Sequence, residues 1–235
     1  AELLAKLAHP AIPQVYDFGT TIDGLDYVAM QLVEGPRLDH WLLDDPPLLE
    51  RLRVFLRLAE GVGHAHQRNV LHRDLKPSNI VVADREPVIL DWGLAAHGGR
   101  RSICGSPHYA APEQLEGQPT DRRADIYALG IILYWLLSGD LPYARRVSDF
   151  NEFRRVRAGI RLVPLRRRNP VVSAEIERVV GRSMAPQPGG RWPDIASFID
   201  ELRPLYDDLR HGRRRRVWPC VLGGMLLGAA ATGIA

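Results

Sequence analysis

The sequence predicts an α+β fold, with a short β-rich beginning followed by a mainly helical body, and three observations predict it. Two strand-like runs, residues 14–18 and 26–32, flank a Thr21-Ile22-Asp23-Gly24 turn and read as a hairpin. Apolar residues then recur at helical spacing over long windows, most clearly in 48–68 and 125–138. Between those windows lies a stretch of about residues 71–117 crowded with His, Asp, Asn, Gly and Pro. An irregular run of that length between helices is usually functional. With 235 residues, 46% of them hydrophobic and 25% charged, the composition is that of a folded chain.

The elements follow in order. Leu3, Leu4 and Leu7 recur at helical spacing, so the chain opens inside a helix. His9-Pro10 stops it, because proline lacks an N–H and disfavours helical backbone before it. After the hairpin and the two long helices, further helices are predicted near 148–158, 174–184 and 194–209. Repeats and low-complexity segments are absent.

The last 19 residues, 217–235, carry no charge. At about 1.5 Å per residue such a helix reaches across most of a hydrocarbon core of roughly 30 Å, so a single-pass membrane helix is expected. The competing reading is a buried or amphipathic terminal helix, but a helix apolar on every face has little left here to pack on. Arg213 to Arg216 suit the cytoplasmic flank of such a span, which would put residues 1–209 in the cytoplasm. Read alone, that run is also a nuclear-localisation or nucleic-acid patch.

Charge narrows the function classes. Of 31 basic residues, Arg210 and Arg213 to Arg216 form one cluster; without those five, 26 basic face 28 acidic residues, a net of −2. The body of the chain is therefore near neutral, and no nucleic-acid partner is expected from charge. Cys104 and Cys220 stand far apart in unlike contexts, which excludes a disulfide framework or a zinc site. His64 and His66 are two apart on a helix and point in different directions, a poor arrangement for a metal pair.

The chemistry concentrates in His72-Arg73-Asp74-Leu75-Lys76-Pro77-Ser78-Asn79, with Asp91-Trp92-Gly93 starting twelve residues after Asn79. A carboxylate to take a hydroxyl proton, oxygen ligands for Mg²⁺ and a positive charge near a moving phosphoryl group are what phosphoryl transfer requires. These strings, with Ala111-Pro112-Glu113 downstream, closely resemble the catalytic loop, the Asp-Phe-Gly motif and the Ala-Pro-Glu motif of eukaryotic-like Ser/Thr protein kinases. The resemblance implies a two-lobe kinase-like fold, with Asp74 as base, Lys76 at the phosphoryl group, and Asn79 and Asp91 on the metal. ATP with Mg²⁺, or Mn²⁺ in its place, and proteins bearing Ser or Thr are then the expected cofactors and partners.

The same resemblance assigns further residues. His72 and Trp92 would belong to a packed spine with Leu4 and Val15, standing on Asp125, with Trp92 in place of the usual Phe. Arg73 resembles the arginine that pairs with a phosphorylated activation segment. Ser106 matches the hydroxyl residue that contacts the catalytic Asp and Lys. Ser102 is the candidate regulatory phosphosite, against the reading of an unmodified loop serine. Cys104 is an inert loop cysteine or a redox switch. Glu113 would pair with Arg191 in a buried tie. Tyr27 to Gly35 resembles the strand and hinge that cup adenine, with Met30 as gatekeeper, Gln31 to Val33 offering backbone hydrogen bonds, and Val81 as the floor.

The resemblance divides the chain into a partial small lobe (1–33), a large lobe (34–209), a basic juxtamembrane segment (210–216) and a transmembrane helix (217–235). A Gly-rich loop, a strand lysine and a helix glutamate do not occur in these 235 residues, whose only lysines are Lys6 and Lys76. Those elements are expected upstream of Ala1, and the stretch alone is expected to be nearly inactive. The order of domain, basic flank and anchor resembles bacterial receptor-like Ser/Thr kinases in signalling, where a homodimer is an open arrangement. The rival expectation is a pseudokinase or scaffold that binds partners without catalysis.

Overall fold

The computed structural model describes residues 2–92, 107–143, 153 and 162–212. The regions carrying Gly93, Ser102, Cys104, Ser106, most of the helix expected near 148–158, and the expected membrane helix lie outside the described residues. Among the described residues, no helix is long and apolar enough to cross a membrane.

A short helix α1 (Glu2–Ala5) leads into an antiparallel pair, β1 (Val15–Thr20) and β2 (Asp26–Met30). Its register runs from Thr20↔Asp26 to Val15↔Met30, with an irregularity between Val15 and Asp17. The turn is closed by the Gly24 N–H on the Thr21 carbonyl at 2.9 Å, with Gly24 at φ 78°. Two strands make a marginal sheet alone. This one is joined to the rest through Leu4, Leu7, Ile12 and Val15, which pack into the common core.

The segment after β2 crosses to the helical body. Gly35, at φ 151°, passes so close to a second hairpin that an added Cβ would lie 2.4 Å from the Val82 carbonyl oxygen. The Val82 N–H donates to the Pro36 carbonyl at 2.9 Å, and Arg37 bridges Val81. Only glycine fits such an approach. Helix α2 (Leu38–Leu43) follows, then α3 (Leu48–His66), which starts after Pro47 and buries Leu52, Phe55, Leu58, Ala59 and Val62.

The second hairpin pairs β3 (Ile80–Ala83) with β4 (Glu86–Ile89), and it sits inside the stretch read as irregular. Its two-residue turn is Asp84-Arg85, at φ 48° and 69°. Hairpin turns of this kind require positive φ at both positions and usually carry Asn-Gly or Asp-Gly. Here Arg53 on α3 donates to the Arg85 carbonyl and to Glu86, while Arg85 reaches Glu50 at 3.2 Å, so ion pairs hold the turn.

After α4 (Pro112–Leu115), helix α5 (Arg122–Ser138) forms the centre of the body. Asp121 caps it by accepting from the Arg123 N–H at 2.7 Å, and left-handed Gly139 ends it. Every residue from Ala124 to Leu137 except Trp135 is buried, as expected for a helix apolar all round. Helices α6 (Leu165–Arg168), α7 (Ala174–Ser183, capped by Ser173) and α8 (Ile195–Arg210, capped by Asp194) close around it. Phe55 of α3 meets Phe198 of α8 edge to face at 5.6 Å. The observed helices match the expected ones near 48–68, 125–138, 174–184 and 194–209 to within three residues at each end. Among the described residues, α2, α4, α6, the β3–β4 hairpin and short 3₁₀ turns are additions.

Candidate active site

The site is built on a loop pinned to the buried helix beneath it. Asp125, on α5, accepts hydrogen bonds from the His72 N–H at 2.9 Å and from the Arg73 N–H at 2.8 Å. His66 on α3 meets the same carboxylate at 2.8 Å. Arg73 stands at φ 68°, a conformation that costs a non-glycine residue of the order of 1–3 kcal/mol unless its surroundings hold it. The hold is visible on both sides: Asp125 takes its N–H, and Gln114 of α4 donates to its carbonyl at 2.8 Å. The sequence raises His66 only as half of an unsuitable metal pair and Gln114 not at all, because their partners lie 59 and 41 residues away.

That strained peptide presents Asp74. Its carboxylate receives the Lys76 ammonium at 2.6 Å and the Asn79 amide nitrogen at 3.3 Å. Asn79 also donates to the Asp74 carbonyl at 3.0 Å and accepts the Leu90 N–H at 2.8 Å through its own carbonyl. The 3₁₀ turn Pro77–Asn79 thus ties the loop to the end of β4 and to Asp91 beyond it. Asp91 is itself left-handed, at φ 57°, and exposed.

The arrangement can be tested against a metal. The amide nitrogen of Asn79 is committed to Asp74, which leaves its side-chain oxygen as the atom that could ligate a metal, and the Asp91 carboxylate would be the second oxygen donor. No group of three or more His, Cys, Asp or Glu side chains among the described residues forms a metal cage. A two-oxygen set suits Mg²⁺, which binds through one or two protein oxygens and completes its shell with water and phosphate oxygens. The residues fit a metal that arrives with a polyphosphate.

His72 is buried, donates to the Leu90 carbonyl at 2.9 Å and accepts the Asp74 N–H on its other ring nitrogen at 3.3 Å. Its ring lies 5.0 Å from that of Trp92, whose indole N–H reaches the Ile89 carbonyl at 2.8 Å. Leu4, Val15 and Trp92 share one hydrophobic cluster. On the hinge side, Met30 pairs with Val15, and buried Val81 lies beside Arg37. The Gln31 N–H donates to the Gln14 carbonyl at 2.8 Å, extending the strand pairing by one residue. The backbone groups of Leu32 and Val33 carry no backbone bond to other described residues.

Glu113 and Arg191 stand apart from this cluster. They form a two-pronged pair at 2.7 and 2.8 Å, with the arginine side chain 0% exposed. The remaining guanidinium N–H groups donate to the Ala185, Arg123 and Pro186 carbonyls, so all five donors are used.

Two consequences are measurable. Asp125→Ala leaves three donors without their acceptor, and hydrogen bonds to a charged group contribute about 1.5–3 kcal/mol each. A loss of at least about 3 kcal/mol is therefore expected in urea unfolding. The pH dependence follows from the histidines. Burial pushes the His72 pKa below its ordinary 6.5, against the opposing charge of Asp125 and the Leu90 carbonyl. Burial lowers His9 and His64 as well. In each case the unfolded chain takes up its proton before the folded one, so stability is full above about pH 6.5 and falls below it. For His72 the slope is up to about 1.4 kcal/mol per pH unit. Calorimetry is expected to show a lower Tm at pH 5.5 than at 7.5.

A carboxylate beside a lysine, two further side chains bearing oxygen, and a loop held on a buried helical aspartate are groups that phosphoryl transfer calls for, on a fold of mixed α/β content. The protein kinase domain family matches residues 1–198, and the chain belongs to that family. Among its relatives, the Ser/Thr protein kinase PrkC of Bacillus subtilis is 30% identical over 224 residues, covering 92% of this chain and 34% of that protein. The Ser/Thr protein kinase PknB of Mycolicibacterium smegmatis is 32% identical, over 88% of this chain and 35% of its own length. The tyrosine-protein kinase MasK of Myxococcus xanthus is 33% identical, over 99% of this chain and 38% of that protein. The chain thus spans about a third of the length of the curated relatives it matches.

Proposed function

We propose that the protein containing this chain transfers the γ-phosphoryl group of Mg-ATP to Ser or Thr hydroxyls of other proteins. The observation that carries the reading is the setting of Asp74, held between the Lys76 ammonium at 2.6 Å and the Asn79 amide at 3.3 Å on a loop fixed by Asp125. The Asp74 carboxylate orients the acceptor hydroxyl and takes its proton as the new O–P bond forms. The bond from phosphorus to the β–γ bridging oxygen breaks, and ADP leaves with that electron pair. Lys76 pairs with that carboxylate and places positive charge beside the moving group. Asn79 and Asp91 would hold the metal, which supplies charge neutralisation for the phosphates when bound. Met30, Gln31, Val33 and Val81 would line the adenine side, and Ser106 would contact Asp74 and Lys76.

Residues 217–235 would anchor the protein in a membrane with the catalytic part on the cytoplasmic side, and Ser102 would be the phosphate acceptor facing Arg73. The support for both is the sequence pattern alone, a 19-residue uncharged run behind clustered arginines and a serine in the segment after Asp91.

The test is transfer of labelled phosphate from ATP to protein acceptors by the intact protein with Mg²⁺ or Mn²⁺, followed by phosphoamino-acid analysis. Label on Ser or Thr is the expected result. No transfer with either metal, or label confined to Tyr as the name of one relative would suggest, overturns the assignment.

A further inference from the structure

We infer that Trp92 is a positioning residue whose buried indole N–H locks the backbone around Asp91, through a bond that the Phe of the family pattern cannot make. The inference rests on the metal role proposed for Asp91. Trp92 is buried against His72, with ring centroids 5.0 Å apart, a contact that any aromatic ring would make. Its Nε1–H donates to the Ile89 carbonyl at 2.8 Å, and that bond is particular to indole.

The bond closes a short, fully tied segment. Ile89 is held from outside by its N–H on the Ala11 carbonyl at 2.9 Å. Leu90 is held twice, by its N–H on the Asn79 carbonyl at 2.8 Å and by its carbonyl under the His72 ring at 2.9 Å. Asp91 follows at φ 57°, where a residue with a Cβ is strained and leaves unless flanking groups hold it. The tie on its C-terminal side, among the described residues, is the Trp92 indole. Removing it frees the strained peptide and leaves the buried Ile89 carbonyl without that donor. Losing one such bond typically corresponds to a three- to tenfold change in the population of the held conformer.

The experiment uses the intact protein that contains this chain and its Trp92→Phe variant, which keeps an aromatic ring against His72, smaller than indole, and removes the donor. Amide hydrogen exchange, read without nucleotide, is expected to accelerate three- to tenfold at the amides of positions 90 and 92 while α5 keeps its protection. Mg-ADP binding is expected to weaken by the same factor, with adenosine binding unchanged. In the wild-type chain, the Trp92 indole N–H is expected to exchange at least tenfold more slowly than that of Trp41, a measurement that needs no variant. Unchanged exchange at Leu90, Mg-ADP affinity equal to wild type, or a fast Trp92 indole each overturns the lock. An intact wild-type protein that binds no Mg-ADP speaks against the kinase reading instead, and the exchange data then judge the lock alone.

Discussion

Replacing Asp74 with Asn is expected to lower kcat for phosphoryl transfer by about two to four orders of magnitude, the usual contribution of a positioned general base. The change leaves the fold almost untouched. Asp74 is 47% exposed and its pair with Lys76 sits at the edge of solvent, where ion pairs contribute about 1 kcal/mol or less. The amide can still accept from Asn79, but it cannot take a proton, and its NH₂ group faces the Lys76 ammonium if it turns the other way. KM for ATP should stay within about threefold of wild type, since the carboxylate is assigned to the hydroxyl and not to the nucleotide. Steady-state kinetics together with a thermal melt separate this outcome from a folding defect. A variant with wild-type kcat would remove Asp74 from the role of base.

Glu113→Ala should have the largest effect on stability. Arg191 is fully enclosed, with its five donors spread over one carboxylate and three carbonyls, so removing the carboxylate leaves a buried charge without its counter-ion. Breaking a pair of this kind costs about 3–5 kcal/mol. In a domain of this size, that corresponds to a fall in Tm of about 6–20 °C. The pair need not be a net gain over an apolar one, because both ions had to leave water. Glu113→Leu combined with Arg191→Met should therefore recover much of the loss. A Tm for Glu113→Ala within about 2 °C of wild type would contradict the burial argument.

Much of this site was legible because phosphoryl transfer places its polar groups close together in the chain. Asp74, Lys76 and Asn79 lie within six residues, and a base, a cation and a metal oxygen at that spacing leave few alternatives. The long helices were legible for another reason: α3, α7 and α8 each bury one stripe, and α5 is apolar all round. The β3–β4 hairpin was hidden because its turn, Asp84-Arg85, lacks the glycine that normally marks one. Its positive φ values are stabilised by Arg53 and Glu50, from a helix more than thirty residues earlier in the chain. The same limit applies to His66 and Gln114, whose importance lies in what they touch across 59 and 41 residues.

The account stands on Asn79 and Asp91 acting on one nucleotide-bound metal while Asp74 faces the acceptor. The direct measurement is a crystal structure of the intact protein with Mn²⁺ and a non-hydrolysable ATP analogue, with the metal placed by its anomalous signal. The account predicts a peak at about 2.0–2.3 Å from the Asn79 side-chain oxygen and an Asp91 carboxylate oxygen, shared with phosphate oxygens. A nucleotide-bound metal ligated by neither residue would contradict it.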